Sequence, residues 1–264
     1  MPLAQHASEL ITAFSSRGFL AIFGFGVFKY TAIGLYSATT LYFGTYLFEL
    51  DGRQLAMLTF DSLAAATLAA PLAPIFARKL GKRSTSIVMA IAGVSVGLSP
   101  LILTYFGLFF RPGAPLLVPS LFVIGAVYGA MVAISLINTS SMLADVVEDN
   151  AVKTGQHSAG VFFAASSFMQ QCSAGMGIFA AGMILTWSKF PAKLDPARVT
   201  ETMTDSLLVH YIPTVLTLWG VGCLFLLAYP IDRARHEANV ERLRAAEAEA
   251  NAEMIRDAAH GAPL

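Results

Sequence analysis

The sequence predicts an all-α, polytopic membrane protein with six transmembrane helices, and three observations carry that prediction. Of its 264 residues, 56% are hydrophobic and 13% are charged, against about 25% charged in an average soluble domain. The apolar residues gather into six runs, each near or above the roughly 20 residues that a helix needs to cross a bilayer. Between the fourth and fifth runs, at 138–160, stand Asp145, Glu148, Asp149, Lys153 and His157. A charge at the centre of a bilayer costs ~2.5–3.5 kcal/mol on insertion scales, so this stretch belongs in water or among headgroups, with the runs on either side crossing.

Residues 1–17 form the lead-in, where Leu10, Ile11 and Phe14 give a short amphipathic face, expected to lie on the cytoplasmic membrane surface. The first run, 18–48, is far longer than the apolar core of a signal peptide, so it is expected to act as an uncleaved span. The second is 55–76, with Asp61 inside it and Pro71 and Pro74 near its end. The basic cluster Arg78-Lys79-Leu80-Gly81-Lys82-Arg83 follows. The remaining spans are 84–106, 115–137, 160–187 and 212–231. The tail, 232–264, is rich in Ala, Glu and Arg and reads as a charged, solvated helix with pairs such as Arg233 with Glu237.

Within 138–160, Asp145, Glu148 and Asp149 are spaced i, i+3, i+4 and share a face if helical. Asp149 precedes Lys153 by four, the favourable order for an ion pair, and Gly155 suits a helix C-terminus. Lys and Arg are favoured on the cytoplasmic side. Placing Arg78, Lys79, Lys82 and Arg83 there puts 138–160 and both termini on the same side, in a bacterial inner membrane. Six spans divide into three plus three, and an odd-numbered unit repeated in one chain must invert, as in each half of a major facilitator transporter.

Other classes fit poorly. Net charge is zero, which gives no electrostatic footprint for nucleic acid. Cys172 and Cys223 lie in apolar runs without metal-ligand spacing, so neither a metal site nor a disulfide framework is expected. No Ser-His-Asp arrangement, HExxH or phosphate loop points to an enzyme.

Two motifs carry a resemblance. Arg78 to Arg83, following Pro71-Leu72-Ala73-Pro74-Ile75-Phe76-Ala77, resembles the basic loop between the second and third helices of a major facilitator half. Ser141-Met142-Leu143-Ala144-Asp145-Val146-Val147, then Lys153-Thr154-Gly155 and Gly160-Val161-Phe162-Phe163-Ala164-Ala165, resembles the glycoside–pentoside–hexuronide:cation symporters, the melibiose permease-like branch of that superfamily. The resemblance covers 10–231 and only the C-terminal six-helix half. It implies alternating access, a sugar, glycoside or related solute, Na⁺ or H⁺ as coupling ion with no other cofactor, and a second six-helix half on another chain or a second copy. Lysolipid transport, as in some relatives, and a non-transporting membrane subunit or truncated fragment are the alternatives. The family's cation-binding carboxylates fall in the half that the resemblance does not cover. The chain departs from the family at Glu148-Asp149, where Asp-Tyr is usual. It departs again at Gln171, where a Lys is common near the sugar and cation site; an amide keeps the hydrogen bonding and loses the charge.

The candidate substrate- or ion-binding residues are Asp61, Gln171, Gln170, Tyr36, Trp219 and Lys29. Charges inside a membrane span are functional candidates by default. Lys29 lies too far below the outer end to pair with Asp61, and its long stem suits snorkelling to the cytoplasmic headgroups. Asp61 has no such exit. Gln170 and Gln171 sit mid-membrane among Ser166, Ser167 and Ser173, where the serines serve as packing contacts and Gln171 faces the cavity. Tyr36 and Trp219 offer aromatic faces, whereas Tyr42, Tyr46 and Tyr211 read as interfacial anchors. Arg78, Lys79, Lys82, Arg83, Asp145, Glu148, Asp149 and Lys153 are expected to set topology and to gate the cytoplasmic side, with membrane lipid as a partner of the basic loop.

Overall fold

A computed structural model describes residues 14–154, 159–190, 199–231 and 233–260, all helical or in short connections. Helix α1 (Arg17–Tyr42) starts where the Ser16 hydroxyl accepts the Phe19 N–H at 3.4 Å. It widens into a π turn, Phe43–Leu47, closed by the Phe48 N–H on the Phe43 carbonyl at 3.0 Å. Helix α2 (Gly52–Leu58) opens with a reciprocal cap: Asp51 accepts the Gln54 N–H at 2.8 Å, and the Gln54 side chain accepts the Asp51 N–H at 2.9 Å. Two such bonds satisfy donors that a helix start leaves orphaned.

After a break at Thr59 and Phe60, α3 (Asp61–Leu80) continues the second span with Asp61 in its first turn. Gly81, at φ +80°, makes the corner into α4 (Lys82–Tyr105); a side chain would be strained there. Helices α5 (Leu117–Thr154), α6 (Ala159–Trp187), α7 (Glu201–Leu227) and α8 (Arg233–His260) follow. Six helical stretches are long and apolar enough to cross a membrane, α2 and α3 together forming the second.

Two helices extend beyond the spans read from sequence. The helix of the fourth span does not stop at 137: α5 runs 38 residues, to Thr154. That is about 57 Å, nearly twice a ~30 Å hydrocarbon core, so its final turns project beyond the bilayer. Polar side chains do not stop it, because Asn138 and Thr139 bond back to the Ile134 and Ser135 carbonyls at 2.8 and 2.6 Å. The acidic cluster therefore sits on the projecting end of this helix, in line with its i, i+3, i+4 spacing. The sixth span begins at Glu201, not at 212. Residues 1–13, 155–158 and the side chain of Arg233 lie outside the described residues, so the amphipathic lead-in, Gly155, His157 and the Arg233–Glu237 pair do too.

Packing falls into two groups. Helix α1 packs against α6 and α7, α5 packs against α3 and α4, and α4 meets α7 to join them. Helices in lipid gain little from burying apolar surface, so close approach and interhelical hydrogen bonds hold them together. At Gly177 on α6, a Cβ would collide with the Thr31 carbonyl and the Leu35 amide of α1. Ser135 on α5 donates to the Ser86 carbonyl of α4 at 3.3 Å. Ser166 and Ser173 lie on the buried stripe of α6, while Ser167 is exposed. Aromatic pairs complete the core, with Phe19 edge-on to Phe162 at 5.2 Å and Phe28 stacked on Phe225 at 5.6 Å.

Candidate functional site

A cavity of about 560 Å³ lies between α1, α2, α3, α4, α5 and α7. Its lining on α1 runs from Ala32 to Leu50, so it occupies the half of the bundle opposite the basic cluster. Most of the wall is apolar. Tyr36, Asp61, Tyr128, Tyr211 and Trp219 supply its larger polar and aromatic groups.

Asp61 reaches the cavity because the second span breaks just before it, which frees the first turn of α3 from the preceding helix. It lies against α5 at Gly125, where a Cβ would fill the space its carboxylate uses. One turn on, Tyr128 turns its ring to Tyr36, centroids 5.1 Å apart, in room left by Gly97 of α4. Trp219, 3% exposed, closes the wall from α7 and packs against Phe25 at 6.4 Å. Tyr211 is 1% exposed and stacks edge-on to Phe43 at 4.8 Å. It is therefore a buried cavity residue and not an interfacial anchor. The early start of α7 is the reason, since it carries Tyr211 about 15 Å into the bundle.

The other candidates lie elsewhere. Lys29 does not snorkel: it is 1% exposed, with its ammonium 4.7 and 4.9 Å above the rings of Phe25 and Tyr30 and no hydrogen-bond partner among the described residues. It shares the Phe25–Ala32–Tyr36 stripe of α1, and its ammonium is buried beside those two rings. Lys29 and Asp61 form no ion pair, as their heights predict. Gln171 is exposed on the side of α6 turned away from α1, and Gln170 donates to Ser166 Oγ at 3.4 Å. Neither lines this cavity. Position along α6 is legible from sequence, but the facing depends on which stripe packs against α1.

At the opposite end the charged residues converge. Lys82 holds both oxygens of Asp145, at 2.7 and 2.8 Å. Arg83 donates to the Tyr229 carbonyl at 3.4 Å, and the Tyr229 hydroxyl donates to the Met142 carbonyl at 3.1 Å. Arg78 and Lys79 are exposed. Asp149 accepts from Lys153 at 2.6 Å, from Arg235 Nε at 3.0 Å and from Asn239 at 3.0 Å. His236 Nδ1 stands 3.2 Å from both Asp145 and Glu148. The first turns of the tail thus dock on α5 rather than standing free in solvent.

Burial would raise the Asp149 carboxyl, but the hydrogen bonds from Lys153, Asn239 and Arg235 hold it below the usual carboxylate range. Burial and the nearby carboxylates of Asp145 and Asp149 push the Tyr229 phenol well above its ordinary value. Arg235, His236 and Asn239 are absent from the sequence candidates. An Arg and an Asn four apart, facing three acids at i, i+3, i+4, are the signal that could have marked them. A second cavity, of about 980 Å³, opens beside this network between Arg78, Lys82, Asp145 and His236.

The fold defines a multi-pass membrane protein, and its bundle encloses a cavity of about 560 Å³. A family model described as MFS/sugar transport protein matches residues 6–233, and the chain belongs to that family. It is 25% identical over 245 residues to an uncharacterized symporter of Synechocystis sp., covering 90% of this chain and 42% of that protein. It is also 25% identical over 125 residues to the sodium-dependent lysophosphatidylcholine symporter 1-A of Danio rerio, covering 47% of this chain and 23% of that protein. The chain thus spans less than half the length of these curated relatives. No solved structure matches.

Proposed function

We propose that this chain is one six-helix half of a cation-coupled symporter for a sugar, glycoside or related solute. It works by alternating access with a second six-helix bundle, supplied by further sequence, a separate chain or a second copy. The observation that carries this reading is the cavity itself: Tyr36, Tyr128 and Trp219 present ring faces and Asp61 presents a carboxylate in a mostly apolar chamber. Ring faces suit the apolar side of a sugar or another flat solute. A carboxylate there attracts positive charge, and Na⁺ or H⁺ moving down its gradient would drive the solute. The Lys82–Asp145 and Arg83–Tyr229 contacts tie helices together at the opposite end, which we place in the cytoplasm of a bacterial inner membrane, with both termini on that side.

Uptake of labelled solutes into proteoliposomes, under imposed Na⁺ or H⁺ gradients and with the second half present, tests this. Gradient-driven uptake abolished by Asp61→Asn is expected. Uptake unchanged by both Asp61→Asn and Trp219→Leu in folded protein would overturn the site. Lysolipid transport is a second reading, favoured by the predominantly apolar wall and by the named activity of the Danio rerio relative.

A further inference from the structure

The lining of the cavity contains one carboxylate and, among the described residues, no Lys, Arg or His. Lys29, the cation on the same stripe of α1, does not reach the lining and lies seven residues before Tyr36, roughly 10 Å along the axis. Asp61 therefore faces a chamber with no positive charge of its own. A lone charge in an apolar, membrane-embedded site is costly unless a counter-charge arrives.

The surroundings of Asp61 say what kind of counter-charge fits. A bare metal ion takes about six oxygen ligands in a tight shell; the hydroxyls beside Asp61, Thr59 and Ser62, are turned back to the Ala56 and Thr59 carbonyls at 2.6 and 2.8 Å, and most of the remaining wall is rings and aliphatic chains. Tyr36 and Tyr128 lie 5.1 Å apart and tilted by 55°, so they present two faces of a corner instead of one flat surface. Asp61 lies against Gly125, one helical turn before Tyr128, and two rings near a carboxylate suit an organic ammonium: ring quadrupoles attract a diffuse cation, and quaternary ammonium groups are held by aromatic cages. The space is also much larger than an ion. At about 560 Å³ it falls in the range of small-molecule pockets, with Leu55, Leu98, Leu101 and Ile124 to receive an apolar body.

We infer that the solute carries an organic ammonium group, paired with Asp61 and seated in the corner of Tyr36 and Tyr128, on an apolar body that fills the rest of the cavity. This rests on the reading that the cavity takes the transported solute, and within that reading it puts an amphiphilic cation in place of a neutral sugar.

The test is binding to the purified 264-residue chain in nanodiscs. Radiolabelled benzyltrimethylammonium is the probe, and its uncharged carbon isostere, neopentylbenzene, is the competitor. Saturable binding is expected, with the isostere competing at least tenfold more weakly than unlabelled probe. Asp61→Asn, a near-isosteric change, weakens binding tenfold or more, whereas Asp205→Asn at the start of α7 leaves it unchanged. Tyr128→Phe keeps the ring face and the affinity; Tyr128→Leu loses at least fivefold. Absence of saturable binding, equal competition by the isostere, or indifference to Asp61→Asn overturns the inference. An uncharged sugar whose uptake depends on Asp61, with no ammonium binding, defeats the inference and leaves the transport reading standing. No dependence of any solute on Asp61, Tyr128 or Trp219 defeats both.

Discussion

Replacing Asp149 by Ala should release the tail helix from the bundle, and the structure sets the size of the effect. The Asp149 side chain is 9% exposed and accepts from three donors. Asn239 is 5% exposed, and losing its acceptor would leave a buried donor unsatisfied, at about 1–3 kcal/mol. The Arg235 side chain is 40% exposed, so its share, discounted for solvent, is about 1 kcal/mol. The Lys153 side chain is 57% exposed, and its share is no more than ~0.5 kcal/mol. A total near 3 kcal/mol corresponds to a roughly 100-fold faster amide exchange where α8 docks, around 235–244. Hydrogen–deuterium exchange with peptide mapping reads this directly, with α1 and α6 as unchanged references. Lys153→Ala should change the same peptides less than threefold. A change below threefold for Asp149→Ala would refute the argument that this carboxylate anchors the tail.

Four further outcomes follow from the same geometry. The Asp149 carboxyl is held below its unfolded value, so its contribution is complete above about pH 4 and is lost as pH falls through the lower folded value. Tail exchange, corrected for its intrinsic rate, should be flat from pH 8 to 5 and rise only below about pH 4; loss of protection near neutrality would contradict this. Gly177→Ala should lower the thermal midpoint by overpacking worth about 1–3 kcal/mol, because a Cβ meets α1 backbone there, while Gly182→Ala, where nothing lies within 4 Å, should not. Equal midpoints for the two variants would show that α1 and α6 are not this close. Lys29→Met, which removes a buried and unpaired ammonium, should leave the midpoint unchanged or raise it; a clear fall would reveal a missing counter-charge. Tyr229→Phe should cost about 1 kcal/mol for the hydrogen bond to the Met142 carbonyl, read as a lower midpoint in a detergent melt.

The bundle was legible because lipid imposes a simple demand, long apolar helices with charges at their ends. Facing was less legible, since a helix that is apolar all round shows no stripe to read. Gln171 illustrates this: its depth follows from sequence, but its direction depends on Gly177 fixing which side of α6 meets α1. Lys29 illustrates the opposite case, where a long side chain with a plausible escape is instead buried beside Phe25 and Tyr30. Tyr36, Asp61 and Trp219 stood out as polar or aromatic groups in apolar spans. Their partner Tyr128 needs the glycines at 97 and 125 to be seen as part of one chamber. The acidic face of α5 was readable from spacing, whereas its docking with Arg235 and Asn239 required knowing that α5 projects far enough to meet the tail.

Read as the solute site, the Asp61 chamber should be aqueous and reached from the side opposite the basic cluster. A single cysteine at Ser62, which lines the chamber beside Asp61, tests it with Cys172 and Cys223 replaced by alanine. In intact cells a membrane-impermeant, cationic thiol reagent should label Ser62→Cys from outside, while a cysteine at Lys79 should react only after permeabilisation. Labelling of the Ser62 position only from the cytoplasmic side, or not at all while a permeant reagent reacts, would mean that the chamber is turned inward or filled with lipid, and would contradict the account.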